Sequence, residues 1–302
     1  MESTIEIEDE DKEGAVCIFL KGFIRIRGVL NWSAISFFGF LLGITSFDVL
    51  SYMFPLFVFL VSTFFILAFT FAVNNYYDVE TDKENPRRVH LNAMASGRLS
   101  KRTGKILLII FIVIPLVLTL VYSRGVFVFS VLLIFWMWAY SAPPLRLKGR
   151  PGWDIIWHFM AFAALVLWGS YLAGSVSIMH VLIAVSFGFF GCFGQIDNHI
   201  QDYPFDKASG SITFAVWTGL QKAKTSLYVV FVIYVVSLVP LIILYSFESV
   251  LTSLLLCAGI IISLLNLLIH KSLDVPSLYR VIFFFGGSVY LMCLISHIHS
   301  LL

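Results

Sequence analysis

The sequence predicts an all-α, polytopic membrane protein. Of its 302 residues, 59% are hydrophobic and only 13% are charged, and the mean hydropathy is +0.93. Apolar runs of about 18 or more residues recur along the whole length, which is the length that a helix needs to cross the hydrocarbon core of a bilayer. This composition excludes an ordinary soluble domain, and a net charge of +2 gives no indication of a nucleic-acid partner.

The N-terminal region precedes the first apolar run. Residues 1–13 are acidic and lack the basic start of a signal peptide, so we expect a solvated tail. The next stretch mixes apolar residues with Lys21, Arg25 and Arg27, which predicts an interfacial helix whose basic side chains face anionic headgroups. The rest of residues 14–302 is predicted to form a single transmembrane domain with membrane lipid around it.

The apolar runs predict nine transmembrane helices. We place them at about 29–47, 52–78, 104–122, 125–140, 153–172, 178–200, 225–245, 250–270 and 277–299. They are interpreted as two parallel four-helix repeats, about 29–150 and 151–270, followed by the ninth helix.

The positions of Lys and Arg predict the orientation. With nine spans, the basic residues of all connections except Arg124 fall on the side of the N-terminus. Because cytoplasmic loops carry the excess of Lys and Arg, we expect an integral protein of the cell membrane with a cytoplasmic N-terminus and an external C-terminus.

A pattern N-x3-D-x3-D occurs twice, each time at the end of an apolar run. Steps of four residues place three side chains on one face of a helix. The two copies fall on the second and sixth spans, which run in the same direction, so both are expected at the cytoplasmic side. The residues are Asn74, Asp78 and Asp82 in the first copy, and Asn198, Asp202 and Asp206 in the second.

Carboxylates at the edge of a membrane indicate a cation site. If the two copies face each other, four carboxylates share a small volume and cannot all stay ionised without a cation. Mg²⁺ takes oxygen ligands and binds a few carboxylates together with substrate phosphates. Basic residues that could hold the rest of a diphosphate lie nearby: Arg87, Arg88, Arg146, Lys148 and Lys207. The pattern therefore predicts a site where an allylic diphosphate ionises inside the membrane, away from water.

The chain resembles the UbiA superfamily of intramembrane prenyltransferases. The two acidic patterns match the family's Asp motifs, and the stretch YSAPPLRLK from Tyr140 to Lys148 is similar to the segment that follows the family's fourth helix. The NPRR stretch after the first motif is similar to archaeal members and to the branch of the animal menaquinone-forming enzyme. The resemblance implies catalytic roles for Tyr140, Lys148 and the four aspartates, and two Mg²⁺ ions bridging the motifs to a polyprenyl diphosphate. It also implies a lipophilic acceptor: an aromatic quinone precursor, a glycerol-phosphate lipid or a carotenoid.

The sequence departs from the family after the first motif. Many members carry Arg-Pro where this chain has Asn92 and Ala93, so the arginine that meets the phosphate stays open between Arg87 and Arg88.

Several further features admit two interpretations. Asp154 and His158 lie one turn apart and could deprotonate an acceptor or form a local interfacial pair. Asp197 lies off the stripe and is expected either to be structural or to support the residues of the stripe. The acidic ends could also form the mouth of a cation or lipid-phosphate transporter, which would need acidic residues throughout the membrane depth.

Four glycines are expected to allow close helix contact: Gly39, Gly43, Gly169 and Gly174.

Overall fold

The computed structural model describes residues 14–85, 88–246, 248–270 and 274–302, and all regular secondary structure in these ranges is helical. The predicted tail, residues 1–13, and Arg87 lie outside the described residues. The long helices are α1 (Ile26–Gly43), α2 (Val49–Tyr77), α3 (Lys101–Tyr122), α4 (Arg124–Ser141), α5 (Trp153–Ala173), α6 (Ile178–Ser209), α7 (Leu220–Tyr245), α8 (Val250–His270) and α9 (Val275–Ser300).

The predicted all-α membrane class is confirmed. Eight of these helices are long and apolar enough to cross a membrane, and α8 is apolar over the shorter stretch Val250–Asn266. The count of nine spans stays a prediction. The largest difference is in α6, which continues well beyond its predicted end, as far as Ser209. The last turns of α6 are polar and carry the second acidic motif. A prediction from hydropathy alone therefore ends the span before them.

The chain divides into two compact units. Among the described residues, the first comprises those up to Ala34 together with those of Phe57–Arg146, and the second comprises those of Ile35–Leu56 together with those of Leu147–Leu302. The first acidic motif therefore belongs to the first unit and the second motif to the second unit. The predicted four-helix repeats stay a prediction.

Glycines bring α1 and α5 together in the second unit. A Cβ atom added to Gly39 would overlap the backbone oxygen of Val166, and one added to Gly169 would overlap the backbone oxygen of Ser36. Gly43 approaches the α5 backbone in the same way. Small residues permit this approach, and packing between close backbones is what holds helices together in lipid.

The fourth glycine has a different role. Gly174 has a φ of +129° directly after α5, and no heavy atom lies within 4 Å of where its Cβ would be. The predicted close contact is therefore wrong for Gly174, which ends a helix through a backbone conformation that glycine tolerates best.

Histidines satisfy the backbone at the C-terminal end of α1. His180 Nε2 donates to the carbonyl of Leu42 at 2.9 Å, because its Nδ1 accepts from the backbone N–H of Ser177 at 2.8 Å. His297 Nε2 bonds to the carbonyl of Ile44 at 2.8 Å. Helix ends leave carbonyls without partners, and these are costly in an apolar environment. The two histidines therefore fix this end of α1 to α6 and α9.

In the first unit, a side chain anchors the N-terminal segment to the end of α2. Asn75 is buried and its Nδ2 donates to the carbonyls of Gly22 and Phe23, at 3.2 and 2.9 Å. The backbone N–H of Ala93 also donates to Gly22, at 2.8 Å. The segment before α1 is thereby held against the helix end that carries the first acidic motif.

We predict that Gly169→Ala destabilises the folded protein by about 1–3 kcal/mol, because the added methyl group forces α1 and α5 apart. The measurement is the thermal unfolding midpoint in detergent micelles. The matched control is Gly194→Ala in α6, where no heavy atom lies within 4 Å of the added Cβ. Equal midpoints for the two variants would contradict this account of the contact.

Candidate active site

The first acidic motif spans a break between two helices. Asn74 lies in the last turn of α2, Asp78 follows the helix end, and Asp82 lies on a short helix, Val79–Lys83. Backbone bonds from Asp78 N to Asn74 O and from Asp82 N to Asp78 O, at 3.1 and 2.8 Å, continue across the break. These are the four-residue bonds of an α-helix, so the three side chains keep nearly helical spacing.

Each side chain of this motif has a specific neighbour. Asn74 Oδ1 accepts a hydrogen bond from Ser141 Oγ at 3.0 Å. Asp78 Oδ1 lies 3.7 Å from Arg146 Nη2. The amide of Asn92 donates to Asp82 Oδ2 at 2.8 Å. Amide and arginine groups of the first unit therefore surround the two carboxylates.

The two carboxylates are buried together. Asp78 is 8% exposed and Asp82 is 3% exposed. Burial raises the pKa of Asp82 above its ordinary value, the hydrogen bond from Asn92 lowers it, and the charge of Asp78 raises it again. Placing a negative charge on Asp82 therefore costs the folded state free energy, which a bound cation would offset.

Arg25 is a member of this site that the sequence analysis missed. We expected it to face lipid headgroups, but its Nη2 donates to Asn75 Oδ1 at 2.6 Å. Burial lowers its pKa, and the charges of Asp82 and Asp78 act in the opposite direction. Its Nε is buried without a hydrogen-bond partner, and its φ is +51°, an uncommon value for a residue other than glycine. Its contacts come from 50 residues along the chain, which no local pattern could indicate.

Asn92 is the residue at which the sequence analysis noted a departure from the family pattern. It is fully buried, and its Nδ2 donates both to Asp82 Oδ2 and to the carbonyl of Asn75, each at 2.8 Å. Its Oδ1 accepts from the backbone of Met94 at 3.1 Å. A neutral amide therefore meets Asp82 here, and the positive charge near this carboxylate comes from Arg25 and Arg88.

The other predicted residues occupy helix ends and loops of the two units. Arg146 has a φ of +37° and a side chain that is 46% exposed, so its charge can still meet a ligand. Tyr140 lies near the end of α4 and contributes to the electrostatic environment of Arg25. Arg88 is exposed. Lys148 is partly buried on a short 3₁₀ turn, Leu147–Gly149, which belongs to the second unit.

The second motif lies in the last turns of α6. Asp202 and Asp206 are partly buried, whereas Asn198 is exposed. Lys207 is exposed and its Nζ lies 5.7 Å from the ring centroid of Tyr203, one turn earlier.

Asp197 has the structural contacts that its place off the stripe predicted. Its Oδ2 accepts from Gln201 Nε2 at 2.8 Å and from the hydroxyl of Tyr279 at 3.0 Å. This carboxylate therefore ties α6 to α9.

Asp154 and His158 make a local contact through the backbone of Asp154. His158 Nδ1 bonds to the backbone oxygen of Asp154 at 2.8 Å, which is a local helix contact. The Asp154 carboxylate instead faces α6, where its Oδ2 lies 3.2 Å from His199 Nε2. A spacing of four, three and four residues places Gln195, His199, Asp202 and Asp206 on one face of α6, a signal that the sequence analysis missed.

These residues suit a magnesium ion. The donors are carboxylate and amide oxygens, which hard cations prefer, and burial disfavours the ionised form of Asp82. Across the described ranges, no three His, Cys, Asp or Glu side chains converge into a complete metal cage. A partial protein ligand set is what Mg²⁺ uses when phosphate oxygens and water complete its coordination.

We predict that Asn92→Leu destabilises the protein by about 3 kcal/mol, because Asp82 Oδ2 and the carbonyl of Asn75 lose their donor while staying buried. The midpoint of thermal unfolding in micelles measures this. Leu91→Ala is the matched control, since Leu91 is 61% exposed. A midpoint for Asn92→Leu equal to that of the control would show that the amide does not support this site.

The sequence is similar to one protein family and to named relatives. Residues 31–288 match the UbiA prenyltransferase family. A lycopene elongase/hydratase of Corynebacterium glutamicum is 29% identical over 168 residues, which cover 53% of this chain and 58% of that protein. A digeranylgeranylglyceryl phosphate synthase of Sulfurisphaera tokodaii is 26% identical over 57% of this chain and 60% of its own length. Each alignment spans less than two thirds of the relative.

Solved structures share the fold. A UbiA homolog from Archaeoglobus fulgidus, determined with GPP and Mg²⁺, superimposes with a TM-score of 0.66 at 22% identity, over 91% of this chain and 98% of that one. A chain from a structural study of digeranylgeranylglyceryl phosphate synthase gives 0.69 at 20% identity, over 94% and 99%. A family match over most of the chain and a shared fold lead to one conclusion: this chain belongs to the UbiA prenyltransferase family.

Proposed function

We propose that the protein is a Mg²⁺-dependent intramembrane prenyltransferase that moves a polyprenyl group from an allylic diphosphate to a lipophilic acceptor. The observation that carries this proposal is the buried pair of carboxylates, Asp78 and Asp82, at the end of a membrane helix and beside Arg25 and Arg146. Such a pair needs a cation, and the arginines suit the phosphate oxygens that a cation would bring with it.

The acidic motifs are assigned to metal binding. Asp78 and Asp82, with Asn74, would hold one Mg²⁺ ion, and Asp202 and Asp206, with Asn198, would hold a second. When bound, Mg²⁺ supplies Lewis-acid stabilisation of the diphosphate leaving group. Support comes from the oxygen-only donor set and from the homolog whose structure was determined with GPP and Mg²⁺.

Basic side chains are assigned to the diphosphate. Arg146 is the strongest candidate, because it is half-exposed and only weakly engaged with Asp78 at 3.7 Å. Lys148 follows it two residues later, and Tyr140 precedes it at the end of α4. The remaining cations proposed for this role are Arg87, Arg88 and Lys207.

The chemical step separates a carbon–oxygen bond. The carbon–oxygen electron pair leaves with the diphosphate, where positive side chains stabilise it. The acceptor then attacks the allylic cation and loses one proton, which the released diphosphate can take up. The site lies at the ends of membrane helices, so the apolar spans receive the prenyl tail and keep water from the cation. By the distribution of Lys and Arg, we propose that this site faces the cytoplasm, with the N-terminus.

The acceptor is proposed from the names of relatives. One aligned relative is a lycopene elongase/hydratase and another is a digeranylgeranylglyceryl phosphate synthase. We therefore propose a carotenoid, a glycerol-phosphate lipid or an aromatic quinone precursor as the acceptor class to be tested.

We predict that Asp78→Asn or Asp202→Asn lowers prenyl transfer at least 100-fold, because each removes a charge that the metal requires. The assay offers labelled geranylgeranyl diphosphate, with and without Mg²⁺, to membranes containing the full chain and a panel of the three acceptor classes. Glu80→Gln is the control, since Glu80 is exposed and pairs with Lys83 and Lys101. Full activity of either aspartate variant would contradict the metal assignment.

We predict that Lys148→Ala weakens binding of geranylgeranyl diphosphate about 10-fold, because a charged contact to phosphate is lost. The dissociation constant is measured by calorimetry in micelles with Mg²⁺. Arg150→Ala, which removes an exposed cation two residues further on, serves for comparison. An unchanged dissociation constant for Lys148→Ala would remove this residue from the site.

A further inference from the structure

His199 has a ring nitrogen that the fold leaves unused. The side chain is 7% exposed, and its Nδ1 is buried without a hydrogen-bond partner. Buried polar atoms are paired in the great majority of cases, and an unpaired one requires an explanation. The other ring nitrogen, Nε2, lies 2.8 Å from Gln195 Nε2 and 3.2 Å from Asp154 Oδ2. Asp154 Oδ2 is itself buried and has no aligned hydrogen-bond donor.

These neighbours determine which nitrogen carries the proton. The Asp154 carboxylate can only accept, so it favours a proton on Nε2, and rotation of the Gln195 amide lets its oxygen accept the same proton. Asp154 is itself held, because its Oδ1 accepts from the backbone N–H of Ile155 at 2.9 Å and the residue is 1% exposed. With its proton on Nε2, the imidazole presents a lone pair at Nδ1.

The Nδ1 lone pair lies close in the chain to the second acidic motif. His199 precedes Asp202 by three residues on the same face of α6, so it lies about one helical turn, roughly 5 Å, further into the span than the second acidic motif. Asp202 is assigned to the diphosphate end of the donor. A group one turn deeper is placed for the atoms next to the diphosphate, where the acceptor must approach.

We propose that His199 Nδ1 accepts a hydrogen bond from a hydroxyl group of the acceptor, and that Asp154 is the positioning residue that holds the ring. This inference rests on the proposed function and narrows the acceptor to molecules with an O–H group, such as a glycerol-phosphate lipid. A hydrocarbon acceptor such as lycopene has no group to fill this position. An imidazole fixed by a carboxylate on one nitrogen and free on the other is a recurrent way to orient a hydroxyl.

The test compares two replacements of the same ring. The amide of asparagine reaches about as far as Nδ1, whereas the amide of glutamine reaches about as far as Nε2. The proposal expects His199→Asn to keep most of the activity and His199→Gln to lower kcat/KM for geranylgeranylglyceryl phosphate about 10- to 100-fold. If the ring only contacts Asp154 through Nε2, His199→Gln should be the more active variant and His199→Asn the less active one. That result would overturn the proposal.

Measuring how tightly geranylgeranyl diphosphate binds distinguishes failure of the His199 proposal from failure of the proposed function. The dissociation constant for geranylgeranyl diphosphate with Mg²⁺ should stay within about twofold in both variants, because the group proposed here meets the acceptor. Asp197→Asn is the matched control. Asp197 is another buried polar residue of α6, its Oδ2 accepts from Gln201 and Tyr279, and its replacement should leave kcat/KM of the folded enzyme unchanged.

Other outcomes are equally decisive. Wild-type kcat/KM in both His199 variants, or loss of donor binding in both, overturns the proposal, since the ring would then serve a trapped water or the diphosphate. Transfer by the wild type to lycopene alone, or to no hydroxyl acceptor of the panel, overturns it as well. Failure of the wild type to bind geranylgeranyl diphosphate with Mg²⁺ would instead contradict the proposed function itself.

Discussion

The burial of two like charges at one helix end is the constraint on which the site depends. Asp78 and Asp82 leave water together at the end of α2, and desolvation of a carboxylate is costly unless opposite charge or hydrogen-bond donors compensate it. The first unit supplies that compensation from three separate segments. Arg25 comes from the stretch before α1, Asn92 from the loop before α3, and Arg146 from the loop after α4.

The compensation is incomplete, and this links stability to function. Burial and the neighbouring charge of Asp78 leave the pKa of Asp82 raised, so ionised Asp82 destabilises the unliganded fold. The cost of ionised Asp82 is fully present at pH values above its pKa in the folded protein. It decreases as the pH falls through that pKa and is absent below the pKa of the unfolded chain. A ligand that binds only the folded state stabilises it and offsets this cost. Functional sites commonly reduce the stability of the unliganded protein in this way.

Much of the fold and the outline of the site follow from the sequence. Hydropathy located the apolar spans because the membrane imposes both their length and their composition. The four-residue spacing placed Asn74, Asp78 and Asp82 on one face, and backbone bonds maintain that spacing even where the helix breaks. Hydropathy failed at the end of α6, because those last turns are helical without being apolar.

The residues that the sequence analysis missed are those whose role depends on tertiary contact. Arg25 looked like an ordinary interfacial cation, and only the fold brings it to Asn75. His199 had a local signal, its place on the face of Asp202, but its partner Asp154 lies on another helix. Asn92 was noticed as a departure from the family pattern, and its hydrogen bond to Asp82 could not be read from that departure.

The most direct test of this account is the thermal unfolding midpoint of Asp82→Asn and of the wild type in micelles, first in EDTA and then with Mg²⁺ and geranylgeranyl diphosphate. The account predicts that the variant unfolds at a higher temperature than the wild type in EDTA, because a poorly compensated charge is gone. It predicts that the ligands stabilise the wild type, by about 2.7 kcal/mol at 100 times the dissociation constant, and leave the variant unchanged. A variant that is less stable in EDTA and gains as much as the wild type from the ligands would contradict it.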